Sequence, residues 1–160
     1  NLYEKRKDFQ VIFTNPSQKI SWKWLKDNVR PLYILSEKNL NRKEYIELVW
    51  ASDIVVSLYT IEKYGGCANV EGIYCEKYPV ITNFGEYPFR VQGTVPLVKT
   101  DLSNLEEIIS IALDNCKEES NKSVEIRKNI VYNSSSYEKV SEEVISNIKE
   151  ITNGNSRRVY

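Results

Sequence analysis

The sequence predicts an α/β fold, a doubly wound parallel sheet of about five strands with flanking helices. Short apolar runs alternate with segments of helical periodicity almost from the first residue. The third run, DIVVSLY (53–59), is a nearly continuous series of apolar and β-branched residues, which is typical of a strand buried on both faces. No internal repeat or linker interrupts the alternation, so we expect one domain over residues 1–153 and a flexible tail over 154–160.

The first half of the chain supplies three of the predicted strands. The first strand is FQVIFTN (9–15), which Asn15-Pro16 ends because this pair breaks a strand. A helix over 21–29 and a second apolar run, LYIL (32–35), follow. The segment 42–52 has apolar residues at helical spacing, and it leads directly into the third strand.

The second half supplies the remaining strands and a helical carboxyl-terminal region. A helix from about Val70 to Lys77 precedes a fourth strand, PVITNF (79–84). A fifth apolar run, VPLVKT (95–100), precedes a helical segment over 101–116. Residues 117–153 are polar and helix-prone, with a break near NSSSYE (133–138).

Composition excludes several classes of function. The formal net charge is zero, so the chain lacks the basic footprint of a nucleic-acid or membrane-surface protein. The chain contains no histidine, which excludes Ser-His-Asp and Cys-His nucleophiles and histidine zinc sites from it. No apolar run approaches the roughly 18 residues of a membrane span. The three cysteines have no metal-type spacing, so we expect free thiols, no metal and a cytoplasmic protein.

The chain begins with Asn1 and contains no methionine. These two features predict that it is a piece of a longer protein.

A loop of small residues follows the third predicted strand. Gly65, Gly66, Cys67, Ala68 and Asn69 carry little side-chain bulk, so a ligand can approach their backbone closely. Ligands of such sheets bind outside the carboxyl ends of the strands, and the helix that follows directs its free N–H groups to the same place. The pattern predicts a phosphate site. The alternative is a flexible loop in which Asn69 is a plain N-cap.

Glu71 is predicted to lie in the first turn of the helix after this loop. A carboxylate there is favoured by the helix dipole, which is one explanation for it. The other explanation is that it binds a ligand, because a carboxylate accepts hydrogen bonds from both hydroxyls of a vicinal diol such as ribose. Phosphate on the backbone and ribose on Glu71 together describe a nucleotide.

The order of these features resembles a known family. An apolar strand (53–59), Glu62, the Gly-rich centre YGGCAN (64–69), Glu71 and a Pro-Val-Ile strand from Pro79 follow one another. The series resembles the carboxyl-terminal, donor-binding domain of retaining glycosyltransferases with the GT-B fold, of the glycosyltransferase group 1 type. Segment 45–53 is similar to the helix-into-strand step of that family, and Ser136 to Val140 to its late Ser-aromatic-Glu segment. The resemblance implies a Rossmann-like domain that forms one half of the GT-B fold.

The resemblance also implies roles for individual residues. Glu71 would bind the donor ribose, and Glu62 would act at the catalytic centre by contacting the sugar hydroxyls. The backbone of five residues would hold the pyrophosphate and sugar: Gly65, Gly66, Cys67, Ala68 and Asn69. Eight residues separate Glu62 from Glu71, one more than in the family pattern. We assign the extra residue to the loop, although Lys63 stands at the family spacing.

The activity implied is transfer of a hexose from an NDP-sugar to an acceptor, with no cofactor other than that substrate. A further, amino-terminal domain would supply the acceptor site, so the present domain is expected to bind the donor without turnover. Segment 71–88 is also similar, through its Tyr-Pro pairs, to a subgroup that mannosylates queuosine in tRNA. This similarity leaves a nucleic acid open as the acceptor.

Two other classes compete with this interpretation. One is a flavodoxin-like or receiver-like binding or signalling module, although the strand 9–15 ends in Thr14-Asn15 without the acidic cluster of a receiver. The other is half of a sugar-nucleotide epimerase, which the absence of histidine disfavours.

Overall fold

The computed structural model describes residues 2–13, 33–35, 40–59 and 67–155. Within these ranges the fold is mixed α/β, with four short strands and a carboxyl-terminal region that is helical. The strands are β1 (Val11–Phe13), β2 (Tyr33–Leu35), β3 (Ile54–Ser57) and β4 (Tyr78–Ile81). The helices are α1 (Leu2–Lys5), α2 (Arg42–Ala51), α3 (Cys67–Tyr74), α4 (Tyr87–Val91), α5 (Leu105–Asn115), α6 (Asn121–Ser135) and α7 (Tyr137–Asn155).

All strand pairing within these ranges is parallel. β1 pairs with β2 and β3 pairs with β4, each as a two-stranded sheet. Thr82 and Val98 add an isolated parallel bridge beside β4. The predicted strand positions and parallel pairing are therefore confirmed for four runs, whereas the run 95–100 contributes one bridge. The described ranges do not join the strands into one five-stranded sheet, and the predicted helix 21–29 lies outside them.

The hydrophobic core lies around β4. All four residues of this strand are buried, and Val80 and Ile81 are completely inaccessible. Apolar residues of α4 and α5, together with Val131 of α6, surround them in one cluster. The short strand is held because its side chains contact helices on more than one side, which matches its uninterrupted apolar sequence.

Helix α3 lies unusually close to β3 at Gly72. A Cβ atom at this position would be 2.8 Å from Cβ and Cγ2 of Val55, which is closer than two carbon atoms can pack. The missing side chain of Gly72 therefore lets the helix lie directly against the strand. This contact fixes the face of α3 that carries Asn69, Gly72 and Ile73 towards the interior.

Helix α3 begins at Cys67, three residues before the predicted start near Val70. Glu71 consequently lies in the second turn, and the prediction of a first-turn glutamate was wrong. Asn69 is inside the helix, so the alternative of a plain N-cap was also wrong. Residues 67–69 are small enough to suggest a loop, yet they are compatible with a helix, and alanine is the best helix former.

Helix α3 also ends earlier than predicted, at Tyr74 rather than Lys77. Glu76 adopts the left-handed conformation with φ of 63°. The backbone N–H of Glu76 bonds to the carbonyl of Ile73, and that of Lys77 bonds to the carbonyl of Gly72. These two bonds form a Schellman-type ending, which turns the chain into β4.

The break predicted near residues 133–138 is confirmed. Helix α6 ends at Ser135, Ser136 is extended, and α7 begins at Tyr137. The side-chain oxygen of Ser136 accepts a hydrogen bond from the backbone N–H of Lys139 at 3.2 Å, as an N-cap does. No helix in the described ranges is both long and apolar enough to cross a membrane.

A buried ion pair anchors α6. Both terminal nitrogens of Arg127 donate to the carboxylate of Glu119 at 2.5 Å, and one also donates to Thr94 at 3.2 Å. The side chain of Arg127 is 1% exposed and that of Glu119 is 10% exposed. Two buried charges must stay paired, because removing one leaves the other without a counter-charge in the protein interior, which solvates it poorly.

We expect Glu119→Gln to lower the free energy of unfolding by about 3 kcal/mol, because it leaves the guanidinium of Arg127 buried without a counter-charge. Urea denaturation measures the loss. Glu142→Gln is the matched control: it removes the same charge from an exposed pair with Lys139 and should leave stability nearly unchanged. Equal midpoints for the two variants would contradict the prediction.

Candidate functional site

A surface groove of about 460 Å³ lies where α2, α3, α6 and α7 meet. The groove combines two carboxylates, one guanidinium, hydroxyl groups and two exposed tyrosines over an apolar floor. Its lining residues are Arg42, Ile46, Val70, Glu71, Tyr74, Cys75, Val131, Tyr132, Ser135, Ser136 and Glu138.

Glu71 occupies the groove in contact with α2. Its carboxylate accepts a hydrogen bond from a terminal nitrogen of Arg42 at 2.5 Å. The side chain of Glu71 is 21% exposed, whereas that of Arg42 is 68% exposed. The carboxylate of Glu71 is thus largely shielded from solvent. It is oriented by the guanidinium of Arg42, which remains exposed.

Tyr45 completes this arrangement from the next turn of α2. The guanidinium carbon of Arg42 lies 5.8 Å from the centre of the Tyr45 ring, within the range of a cation–π contact. Burial and, second, the neighbouring carboxylate of Glu71 raise the pKa of the Tyr45 hydroxyl to about 12. The hydroxyl therefore stays protonated over the physiological range.

The groove brings together segments that are distant in sequence. Glu71 belongs to α3, whereas Ser136 and Glu138 belong to the start of α7. Tyr74 and Tyr132 are 58% and 41% exposed, and they also line the groove. Carboxylates and hydroxyls that bind sugar hydroxyls, beside aromatic surface, are typical of a site for a polyhydroxylated or nucleoside ligand.

Asn69, in the first turn of α3, points into the interior. Asn69 is 1% exposed, and its amide oxygen accepts a hydrogen bond from Arg90 at 2.7 Å. Arg90 in turn bonds to Glu86 and lies 5.6 Å from the centre of the Tyr87 ring. The side chain of Asn69 is therefore held in the interior by Arg90.

The first turn and Glu71 share one face of α3. Cys67 is exposed and lies four residues before Glu71, which is one helical turn. Cys67 and Glu71 thus lie on the same side of α3, and Glu71 lines the groove.

The structure describes four of the predicted site residues. Cys67, Ala68 and Asn69 form the first turn of α3, and Glu71 lies in the groove. The other predicted residues, Glu62, Gly65 and Gly66, lie outside the described ranges, as does Lys63. The described part of the chain contains no group of three or more Cys, Asp or Glu side chains placed to hold a metal ion.

Sequence analysis missed Arg42 as the partner of Glu71. A signal was present, because Arg42 opens the helix after the second predicted strand, and helices of a parallel sheet begin at the same edge. Tyr132 and Ser135 were also missed, and no sequence signal indicates them. Their place in the groove depends on how α6 packs against α3.

No protein-family model matches the chain, and neither the curated proteins nor the solved structures give a significant match. Function must therefore be inferred from the site itself and from the sequence pattern.

We expect the free energy of unfolding to fall as the pH rises from about 10 to 12, because the folded chain keeps the Tyr45 proton that the unfolded chain releases. Tyr45→Phe should flatten this part of the curve, measured by urea denaturation at stepped pH. Burial also raises the pKa of Tyr78 and Tyr87, so a part of the fall should remain. Tyr137→Phe, at an 85% exposed ring, should keep the original slope. A Tyr45→Phe curve parallel to the wild-type curve would contradict the assignment.

Proposed function

We propose that this chain is the nucleotide-sugar donor-binding domain of a retaining glycosyltransferase, which transfers a hexose from an NDP-sugar to an acceptor in the cytoplasm. The observation that carries the proposal is the convergence of Glu71 with Ser136 and Glu138 in one groove. These residues belong to two separate segments that resemble the same family. A coincidental resemblance gives no reason for the two segments to meet at one site.

The fold proposed is Rossmann-like, one half of a GT-B enzyme. In this proposal the pairs β1–β2 and β3–β4 and the bridge at Val98 are parts of a single doubly wound sheet. Support comes from the parallel direction of every described pair and from helices between the strands. Binding then takes place at the carboxyl ends of the strands, where α3 begins.

The donor is held at two points in this proposal. The pyrophosphate lies against Gly65 and Gly66 and the first turn of α3, where backbone N–H groups and the helix dipole favour an anion. The ribose hydroxyls bind the carboxylate of Glu71 one turn further along the helix. The exposed rings of Tyr74 and Tyr132 offer aromatic surface to the base, because every base has a face that stacks on such rings.

The hexose and the acceptor require groups beyond this groove. Glu62 contacts the hexose hydroxyls at the catalytic centre, as the resemblance implies. The acceptor site belongs to a further domain, and the chain alone binds the donor without transferring the sugar. The acceptor is a hydroxyl-bearing molecule, which leaves a nucleic acid among the possible substrates.

The direct test is calorimetric titration of the 160-residue chain with UDP, GDP and ADP separately. We expect one of them to bind, and Glu71→Gln to weaken it about ten- to hundredfold, the equivalent of about 1.5–3 kcal/mol for a hydrogen bond to a charged acceptor. The melting temperature should change little. Glu47→Gln is the control, because it alters an exposed glutamate with a distant partner at 3.8 Å. If none of the three nucleotides binds, the proposed function is wrong.

The role of Glu62 is tested by comparing each nucleotide with its sugar derivative, UDP with UDP-glucose and GDP with GDP-mannose. We expect Glu62→Ala to abolish the added affinity of the sugar derivative and to leave the bare nucleotide unaffected, because only the hexose contact is removed. Lys63→Ala is the matched control at the neighbouring position. If Lys63→Ala loses the added affinity of the sugar derivative and Glu62→Ala keeps it, Lys63 rather than Glu62 occupies the first position of the family pattern.

A further inference from the structure

Glu71 is held by Arg42 of α2, which in turn lies against Tyr45 of the same helix. Arg42 donates to Oε1 of Glu71 at 2.5 Å. Arg42 also lies over the ring of Tyr45, 5.8 Å from its centre. The three side chains therefore form one connected unit, in which Tyr45 restricts Arg42 and Arg42 restricts Glu71.

Stability does not explain this unit well. Arg42 is 68% exposed, and ion pairs with so exposed a partner contribute little to folding. Orientation is a better explanation. Glutamate is a flexible side chain, and ordering it when a ligand binds reduces the binding free energy. A carboxylate fixed in advance binds its ligand without that cost.

The unit leaves Glu71 able to bind a diol. A carboxylate offers about four lone-pair positions on its two oxygens. Arg42 occupies one of them, so enough remain for a pair of adjacent hydroxyls. A ligand that lacks one of the two hydroxyls leaves a fixed acceptor unsatisfied, and sites built in this way reject such analogues strongly.

We propose that Arg42 and Tyr45 are positioning residues that fix Glu71 for the 2′- and 3′-hydroxyls of ribose, so that the groove selects ribonucleotides over 2′-deoxyribonucleotides. The inference rests on the proposed function, in which Glu71 binds the donor ribose. It adds that the selectivity belongs to the unit of three side chains and is reduced when either residue of α2 is replaced.

The experiment measures dissociation constants of the 160-residue chain for UDP, GDP and ADP and for their 2′-deoxy forms. We expect the wild-type chain to prefer the ribose form of its nucleotide about ten- to hundredfold, the ratio that one charge-assisted hydrogen bond gives. Arg42→Met and Tyr45→Phe should each reduce this preference several-fold while thermal melting shows a folded chain. Arg42→Lys should restore part of it, because lysine still donates to the carboxylate.

Two controls on exposed positions separate selectivity from general effects. Lys43→Met removes a neighbouring cation whose side chain is 85% exposed, and Tyr137→Phe removes a hydroxyl from an 85% exposed ring. Both should keep the wild-type preference for ribose. Arg42→Lys and Tyr45→Phe carry the test if Arg42→Met does not fold.

The outcomes distinguish this inference from the proposed function. If the wild-type chain binds none of the nucleotides, both are overturned. If it binds a nucleotide but does not prefer ribose, or if Arg42→Met and Tyr45→Phe keep the full preference, the positioning role is overturned and the nucleotide site stands. A preference lost equally in Lys43→Met would also overturn it, since a general effect of charge would then explain the result.

Discussion

The contact between Gly72 and Val55 determines the geometry of the whole site. Because Gly72 has no side chain, α3 lies directly on β3, and its rotation about its own axis is fixed. Asn69 then points inward to Arg90, while Glu71 and Tyr74 lie on the face that lines the groove. A larger residue at position 72 would move the helix away from the strand and carry Glu71 away from Arg42.

The opposite wall of the groove depends on a buried charge. Arg127 is fixed by Glu119 and Thr94, and it lies on α6 one turn before Val131 and two turns before Ser135. Residues four apart share one face of a helix, so the buried pair sets the direction in which Val131 and Ser135 point. The buried pair thus helps to set the shape of the groove, although neither Arg127 nor Glu119 lines it.

Strand positions could be predicted because each strand is an apolar run bounded by breakers. The start of α3 could not, since Cys67, Ala68 and Asn69 are small or polar residues that suit both a loop and a helical turn. The groove was only partly predictable. Glu71 was identified by its chemistry, but Tyr132 and Ser135 reach it through packing between helices, which depends on side-chain shape at contacts far apart in sequence.

The position of Glu71 resolves a conflict between its charge and an anionic ligand. A carboxylate in the first turn of a helix would repel a phosphate bound at the same helix end. Glu71 instead lies four residues beyond Cys67, about 6 Å along the helix axis at 1.5 Å per residue. Its charge is also compensated by Arg42, so the positive field of the first turn remains available to an anion. In the proposed function, one short helix holds a phosphate at its end and a diol one turn later, which is the order in which a nucleotide presents them.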